Sequence, residues 1–282
     1  MERRTFRAMG TDIELLVDAD TAERALAAAA AEFERLESLL SRFRDSSELS
    51  RLNRSGSIEV SPDLQRVVEL ALDARTRTGG RFDPTVHDAV VSAGYDRTFA
   101  EVAADAPERA GPAVPARGDV RVDEGRITLG EGVRIDLGGI GKGYAAERAA
   151  EVLATAGPCL VNAGGDIATR GGVWPVGVET ATSTITLELS GGALATSGRD
   201  RRTWRRAGRT LHHVIDPRTG APAATDVLRV TVVAPDAVEA EVFATSLFLA
   251  GAKQAAAEAD AAGQPAVIVD MHGETTLAGG LA

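Results

Sequence analysis

The segment VRIDLGGIGKGYAAERAAEVL, residues 133–153, places a single lysine, Lys142, in a glycine-rich turn. A short apolar run, residues 133–137, predicts a strand, the glycines that follow predict a turn, and the alanine-rich remainder predicts a helix. Such turns bind phosphate in many proteins because the N–H groups at a helix N-terminus face the anion. A lysine in the first turn opposes the helix dipole, which favours an anion that shares the site. The segment therefore predicts phosphate binding.

Neither of two common phosphate-binding motifs fits this segment fully. A P-loop requires Ser or Thr after Lys142, where the chain has Gly143, and it requires Gly where the chain has Asp136. The series G-x-G-x-x-A that starts at Gly141 matches the dinucleotide-binding pattern, and Asp166 follows at about the distance of the ribose-binding acid. This Rossmann interpretation stays open beside a third, in which the glycines only close a tight turn.

Two further segments contain residues suited to acid–base or metal chemistry. HHVIDPRTGAP, residues 212–222, has good turn chemistry around Asp216. Its adjacent histidines, in an extended run, point to opposite sides, so at most one of them enters a given site. Glu241 and Thr245 are spaced i, i+4 on one face of a predicted helix. They are either two hard oxygen ligands for Mg²⁺ or partners in a local hydrogen bond.

Three other features have both a structural and a functional interpretation. Gly164-Gly165 interrupts a predicted strand, where glycine often marks the close approach of a ligand or another backbone. Phe43, followed by a polar, serine-rich loop, is either a core aromatic residue or a platform for a flat ring. The arginine-rich residues 199–209 form either a solvated hairpin or a surface for an acidic partner or phosphates.

Helices and strands that cluster and mix must position these segments. Helical spacing and capping residues predict helices over residues 21–43, 61–80, 82–94, 236–251 and 252–263. Strand patterns predict hairpins that turn at Gly10 and at Glu124-Gly125. Without steady βαβ alternation, this order favours an α+β fold with a largely antiparallel or mixed sheet, in one domain over 1–282 or two closely packed lobes. Residues 100–119, rich in Ala and Pro, are predicted to form a loop.

The composition limits the function and the location. The 282 residues carry a formal net charge of −10, which argues against nucleic-acid binding. The one cysteine, Cys159, cannot form an internal disulfide and lies in an apolar run that predicts burial. Because no apolar stretch reaches about 18 residues, we expect no transmembrane segment. The first residues have no signal-peptide pattern, so we expect a cytoplasmic protein.

Eight segments occur in an order that resembles the ApbE family, the flavin transferases known as FAD:protein FMN transferases. They are MGTDIELLV, LSRFRDSSELSRLN, GGRFDPTV, IDLGGIGKGYAAERAAEVL, LVNAGGDIATRG, ATSG, HHVIDPRTGAP and VTVVAPDAVEAEVFATSLFLAG. The resemblance extends from Met9 to about Gly251. It implies the family's α+β fold, which is related to the T-fold, with mixed or antiparallel sheets, packed helices and FAD in a cleft.

The resemblance also implies a reaction. Mg²⁺ bridges the protein and the FAD pyrophosphate, a Ser or Thr hydroxyl of an acceptor flavoprotein attacks the FMN-side phosphorus, and AMP leaves. Some members of the family hydrolyse FAD to FMN and AMP, so an FAD pyrophosphatase is an alternative, as is a non-catalytic FAD-binding protein. Many members are exported and lipid-anchored. The lack of both signals here implies cytoplasmic acceptors, or membrane proteins modified by an enzyme peripheral to the inner side of the membrane.

The resemblance assigns individual residues to the site. The metal ligands are a backbone carbonyl of the turn at Gly141, together with Glu241 and Thr245. The FAD-binding positions are Met9, Phe43, Asp83, Asp136, Gly139, Lys142, Gly165, Asp166, His213 and Thr219. Lys142 would offset the negative charge that grows during transfer, and His213 or Asp216 would accept the hydroxyl proton. Two positions depart from the family, since Glu241 replaces its usual Asp and Phe43 replaces the flavin-stacking Tyr of many members.

Overall fold

The computed structural model of this protein describes residues 1–102, 105–106, 115–116 and 118–281. Its helices are α1 (Glu23–Leu40), α2 (Glu48–Ser55), α3 (Pro62–Arg77), α4 (His87–Ala93), α5 (Gly141–Leu153), α6 (Ala237–Ala250) and α7 (Ala252–Ala262), with single 3₁₀ turns at Pro84–Val86 and Phe99–Glu101. Its strands are β1 (Glu2–Ala8), β2 (Thr11–Val17), β3 (Ser57–Glu59), β4 (Asp105–Ala106), β5 (Val120–Asp123), β6 (Arg126–Leu129), β7 (Cys159–Ala163), β8 (Asp166–Arg170), β9 (Trp174–Glu179), β10 (Thr184–Leu189), β11 (Gly192–Gly198), β12 (Thr203–Arg206), β13 (Arg209–His212), β14 (Ile215–Asp216), β15 (Ala221–Pro222), β16 (Val227–Ala234), β17 (Ala266–Asp270) and β18 (Thr275–Ala278).

The chain divides into two compact units. The first comprises Met1–Leu36, Ile140–Gly198 and Thr225–Ala282, and the second comprises Glu37–Gly139 and Arg199–Ala224. Each unit is therefore assembled from segments that are distant in the sequence.

The first unit is built around a sheet in the order β1-β2-β7-β8-β11-β16-β17-β18. Every pair of neighbouring strands in it is antiparallel, which confirms the expected α+β fold with an antiparallel sheet. The Rossmann interpretation of the glycine pattern is wrong, because that fold needs parallel strands joined by the helix.

Different elements cover the two faces of this sheet. Cys159 is buried, as expected, and its thiol donates to the carbonyl of Ala150 in α5 over 3.5 Å. Its neighbour Leu160 packs instead with Trp174 of β9. Because successive strand residues face opposite sides, α5 lies on one face and the β9–β10 hairpin on the other. Helix α6, which is largely buried, packs against β11, β16 and α5.

The second unit contains a helix that sequence reasoning missed. The serine-rich segment after Phe43 was expected to form a loop, but α2 begins at Glu48. The hydroxyl of Ser47 caps this helix by accepting the N–H of Ser50 at 2.9 Å, and Gly56 ends it with a φ of 73°. A serine N-cap followed by a terminal glycine was the available signal, and the expectation of a loop was wrong for this part.

The apolar run before the glycine turn, expected to be a strand, is not one. Residues 133–137 have no strand partner, because the side chain of Asn53 takes the place of one. Its amide nitrogen donates to the carbonyl of Ile135 over 2.8 Å, and its amide oxygen accepts the N–H of Ile135 over 2.8 Å. The N–H of Asp136 donates to the carbonyl of Pro84 over 2.7 Å. These three backbone groups are thus satisfied without a sheet ladder.

Other predicted elements are confirmed. Helix α3 has Ser61 as its N-cap, and β5 and β6 form the hairpin that turns at Glu124-Gly125. The arginine-rich residues form the β12–β13 hairpin, whose Trp204 is buried. Of the loop predicted over residues 100–119, residues 103–104, 107–114 and 117 lie outside the described residues. No helix in the described part of the chain combines the length and hydropathy that a membrane crossing requires.

Candidate functional site

Lys142 lies in the first turn of α5 between two buried carboxylates. Its ammonium nitrogen is 2.5 Å from Oδ2 of Asp166 and also contacts Oε1 of Glu241. The chain contains two lysines among its 31 basic residues, so lysine is a rare choice here. A compact ammonium group with three donors suits a position between two carboxylates better than a planar guanidinium does. The anions expected beside Lys142 are thus present as side chains, and phosphate binding stays a prediction.

Glu241 caps helix α5 from a distant part of the sequence. The N-cap residue of α5, Ile140, has no side chain that can accept a hydrogen bond. Oε2 of Glu241 accepts the N–H of Gly143 over 2.9 Å instead. Burial raises the pKa of Glu241 to about 7; Lys142 and the Gly143 N–H oppose the rise, and the charge of Asp166 adds to it. The cluster therefore contains one ammonium group for two carboxyl groups.

Asp166 is the first residue of β8, directly after the Gly164-Gly165 pair. Both glycines have positive φ, 68° and 105°, and they form the turn of the β7–β8 hairpin. A Cβ on Gly164 would lie 2.1 Å from Oγ1 of Thr11, so the predicted close approach is to a neighbouring side chain. A Cβ on Gly165 would meet no atom within 4 Å.

Thr245 lies one turn after Glu241 on α6, as the i, i+4 spacing predicted. Its hydroxyl is hydrogen-bonded to the hydroxyl of Ser197 over 2.9 Å. Ser197 belongs to the ATSG segment at the end of β11 and was not assigned from the sequence. Gly141 is the first residue of α5, and the carbonyl of Ile140 before it accepts the N–H of Tyr144 over 3.1 Å. The ligand roles of Thr245 and Gly141 stay predictions.

Met9 lies in the turn between β1 and β2, which confirms the turn predicted at Gly10. Met9 and Gly10 have φ values of 51° and 71°, as in a two-residue hairpin turn with both central residues left-handed. A positive φ is uncommon for a residue with a side chain, and such positions often belong to functional sites. The FAD-binding role of Met9 stays a prediction.

Replacing Gly143 by alanine is expected to destabilise the protein by about 1–3 kcal/mol. A Cβ there would lie 2.5 Å from the carbonyl oxygen of Ala237 and 3.0 Å from Oε2 of Glu241, so α5 and α6 would have to separate. Urea unfolding measures the change. Gly177→Ala is the control, because its Cβ would meet only the γ-methyl of Thr184, at 3.1 Å. Equal stability of the Gly143→Ala variant and the unaltered protein would contradict this close packing.

In the second unit, Asp136 is held by two internal partners. Oδ2 is 2.6 Å from Nε of Arg42, and both side chains are less than a tenth exposed. Oδ1 accepts the N–H of Gly138 over 2.6 Å. The guanidinium carbon of Arg42 also lies 4.0 Å from the ring centroid of Phe43, which packs against Tyr95 at 5.6 Å. Where it contacts Arg42 and Tyr95, Phe43 is packed like a core aromatic residue. Its role in stacking on the flavin stays a prediction.

Asp83 and Gly139 also have structural partners within the second unit. The carboxylate of Asp83 accepts both the N–H and the hydroxyl of Thr85, over 2.8 Å and 2.7 Å, and pairs with Nε of Arg75 at 3.1 Å. A Cβ on Gly139 would lie 3.2 Å from the ring of Phe82. The FAD-binding roles of both residues stay predictions.

The two adjacent histidines of the second unit differ in their surroundings. His212 is 2% exposed, its Nε2 is 3.0 Å from the carbonyl oxygen of Ala223, and burial lowers its pKa although that carbonyl opposes the shift. His213, the next residue, is half-buried. His212 is therefore part of the core, and the site role of the less buried His213 stays a prediction.

Asp216 is engaged within its own turn. Its carboxylate forms two hydrogen bonds with the guanidinium of Arg218, over 2.9 Å and 2.8 Å. Burial raises the pKa of Asp216, but the hydrogen bonds from Arg218 outweigh it and hold the pKa below its usual value. The carbonyl of Asp216 accepts the hydroxyl of exposed Thr219 over 3.3 Å. A carboxylate paired in this way is a weaker base than a free one.

The predicted residues are thus distributed over both units. In the first unit, Lys142, Asp166 and Glu241 contact one another, and the elements that carry them also carry Gly141 and Thr245. Within the described residues, no three His, Cys, Asp or Glu side chains are arranged to hold a metal ion. The second unit contains Phe43, Asp83, Asp136, Gly139, His213, Asp216 and Thr219.

Sequence reasoning missed Glu147, a buried acid on α5. A glutamate among alanines in a predicted helix resembles an exposed residue, and only its spacing of four from Gly143 places it on the face that packs against α6.

Sequence comparisons relate this chain to one family of known proteins. The ApbE family model matches residues 9–269. The FAD:protein FMN transferase of Salmonella typhimurium is 30% identical over 239 residues, which cover 77% of this chain and 68% of that protein. The enzyme of the same name from Treponema pallidum is 30% identical over 258 residues, covering 78% and 70%.

Solved structures of ApbE proteins have the same fold as this chain. The crystal structure of the ApbE protein from Thermotoga maritima superposes with a TM-score of 0.86 at 25% identity, covering 98% of this chain and 96% of that one. The apo flavinyl transferase ApbE of Pseudomonas stutzeri superposes with a TM-score of 0.84 at 22% identity, covering 98% and 94%. The resemblance found in the sequence is confirmed, and the chain belongs to the ApbE family.

Proposed function

We propose that this protein is an FAD:protein FMN transferase that requires Mg²⁺. The observation that supports this most is the family match over residues 9–269, together with relatives named for this activity. A Ser or Thr hydroxyl oxygen of an acceptor flavoprotein forms a bond to the FMN-side phosphorus. The phosphorus–oxygen bond to AMP breaks, AMP departs with the bonding electrons, and FMN stays on the acceptor as a phosphoester.

The cluster in the first unit fits Mg²⁺ by its donor chemistry and its charge. Glu241, Thr245 and a carbonyl of the turn at Gly141 would hold the ion as hard oxygen ligands, and Mg²⁺ commonly completes its shell with water and substrate phosphate. The two buried carboxylates of the cluster share one ammonium group, so a further cation beside them is electrostatically favoured. When bound, Mg²⁺ would neutralise charge on the phosphate oxygens.

Lys142 supplies a second, permanent cation in the same cluster. Its ammonium group is held by Asp166 and Glu241, so it is fixed in place before a substrate arrives. A preorganised cation stabilises developing negative charge without the cost of reorganisation. We propose that Lys142 acts on the phosphate oxygens in this way.

The proton of the acceptor hydroxyl needs a base, since an alcohol is a poor nucleophile. His213 and Asp216 were the candidates from the sequence. The Arg218 pair lowers the pKa of Asp216 and occupies its carboxylate. We therefore propose His213 as the proton acceptor.

Incubating the purified protein with FAD, Mg²⁺ and a carrier protein tests the function. The carrier bears a family-type acceptor segment, a short acid-containing stretch that ends in Ser/Thr-Gly-Ala-Ser/Thr. A fluorescent carrier band on a denaturing gel, with an equal amount of AMP, is the expected result. AMP and free FMN without a band would favour the pyrophosphatase, and FAD binding without AMP would favour a binding protein.

A further inference from the structure

Helices α5 and α6 cap each other through two buried glutamates. Glu241 of α6 accepts the N–H of Gly143, in the first turn of α5, over 2.9 Å. In return, Oε1 of Glu147 on α5 accepts the N–H of Ala237, the first residue of α6, over 2.7 Å. The two glutamates are 4% and 7% exposed. Each helix therefore satisfies an N-terminal donor of the other.

The second oxygen of Glu147 connects this pair of helices to the sheet. Oε2 contacts a guanidinium nitrogen of Arg170, the last residue of β8. The first residue of the same strand is Asp166, which contacts Lys142. Helices α5 and α6 and strand β8 are thus joined by two ionic groups, one at Lys142 and one at Glu147. A buried carboxylate is costly unless it is paired, and Arg170 supplies that charge.

The spacing of these contacts couples Glu147 to Glu241. Gly143 and Glu147 are one helical turn apart on α5, about 6 Å along the axis, and Ala237 and Glu241 are one turn apart on α6. The absence of a side chain at Gly143 allows the carbonyl of Ala237 to pack closely. A shift at the start of α6 would therefore move the Glu241 carboxylate relative to Gly143. Small displacements of groups in a catalytic site have large effects on the reaction rate.

We propose that Glu147, held by Arg170, is a positioning residue for Glu241. By fixing the first N–H of α6 to α5, it sets where the Glu241 carboxylate lies between Gly143 and Lys142. Its effect on Mg²⁺ affinity rests on the proposed function of Glu241 as a metal ligand. Its effect on the hydrogen bond between Gly143 and Glu241 does not.

The test compares the folded full chain with three variants, and Arg170→Met is added as a fourth if Glu147→Ala does not fold. Glu147→Ala removes both contacts, whereas Glu147→Gln keeps an oxygen that can accept the N–H of Ala237. Glu151→Ala is the matched control, because Glu151 lies one turn later on α5, is exposed and forms a local pair with Arg148. Amide hydrogen exchange at Gly143 is read by NMR against Ala149 in the same helix, and Mg²⁺ affinity is read by calorimetry.

We expect Glu147→Ala to speed exchange at Gly143 about tenfold more than at Ala149, and to weaken Mg²⁺ binding about tenfold. In Glu147→Gln, the exchange rate at Gly143 and the Mg²⁺ affinity should be close to those of the unaltered protein. Glu151→Ala should change neither quantity. If exchange at Gly143 relative to Ala149 is unchanged in Glu147→Ala, or if both amides are accelerated equally, the proposal is overturned.

If Glu147→Ala does not fold, the comparison is made between Glu147→Gln and Arg170→Met. Slower exchange at Gly143, relative to Ala149, in Glu147→Gln than in Arg170→Met supports the proposal. No acceleration at Gly143 in either variant overturns the proposal. If the unaltered protein binds no Mg²⁺, the proposed metal role fails, while exchange at Gly143 still decides the positioning role.

Discussion

Replacing Glu241 by alanine is expected to abolish Mg²⁺-dependent FAD turnover, and replacement by glutamine to reduce kcat/KM about 100-fold, or about 2.7 kcal/mol. Glutamine has one side-chain oxygen and one NH₂ group, so it cannot replace the two carboxylate oxygens that accept from Gly143 and from Lys142. Glutamine is also uncharged, so it would bind a metal ion less tightly than glutamate does. The rate of AMP release from FAD, measured over a range of Mg²⁺ concentrations, gives kcat/KM and its dependence on the ion.

Glu239→Gln provides the control for this prediction, because Glu239 lies on the same helix outside the Lys142 cluster. Melting temperatures confirm that activity is compared between folded proteins. Turnover at the unaltered level in Glu241→Gln, with unchanged Mg²⁺ dependence, would remove Glu241 from the metal site.

Replacing Lys142 by methionine is expected to lower the free energy of unfolding by about 3 kcal/mol without Mg²⁺, because two buried carboxylates would lose their shared cation. Mg²⁺ should restore part of this loss, so the variant should gain more stability from the ion than the unaltered protein does. Urea unfolding in EDTA and in Mg²⁺ measures both quantities.

The other lysine of the chain supplies the control for the Lys142 variant. Lys253 is exposed on α7, and Lys253→Met should unfold like the unaltered protein in both solutions. If Lys142→Met in EDTA proves as stable as the control, the two carboxylates do not depend on this ammonium group. If Mg²⁺ leaves its stability unchanged, the cluster does not bind the ion in the absence of FAD.

Local signals in the sequence predicted much of the fold. Ser61 and Pro62 define the start of α3, and Met9-Gly10 and Glu124-Gly125 define two hairpins, because caps and turns depend on a few adjacent residues. The run at 133–137 was predicted as a strand because its apolar pattern is that of one. Its backbone partner is the Asn53 side chain, 82 residues away, which no local pattern can reveal.

The candidate site was less accessible to local reasoning. Lys142 and Glu241 are 99 residues apart, and only the order of motifs across the chain linked them before the structure did. Glu147 had no such link, because its partners Ala237 and Arg170 lie 90 and 23 residues away. Burial of a charged residue is decided by tertiary packing, and composition around Glu147 indicated an exposed helix face.

The reciprocal caps also have a consequence for the order of folding. Helix α5 begins after Ile140, which offers no side-chain cap. The cap of its first turn comes from Glu241, which accepts the N–H of Gly143 from 98 residues further along the chain. Contacts between such distant residues form slowly, because the loop that they close is long. We therefore expect the first turn of α5 to become ordered late, together with α6. A partly folded chain would then have no assembled Lys142 cluster, and binding of a ligand to that cluster would report completed folding.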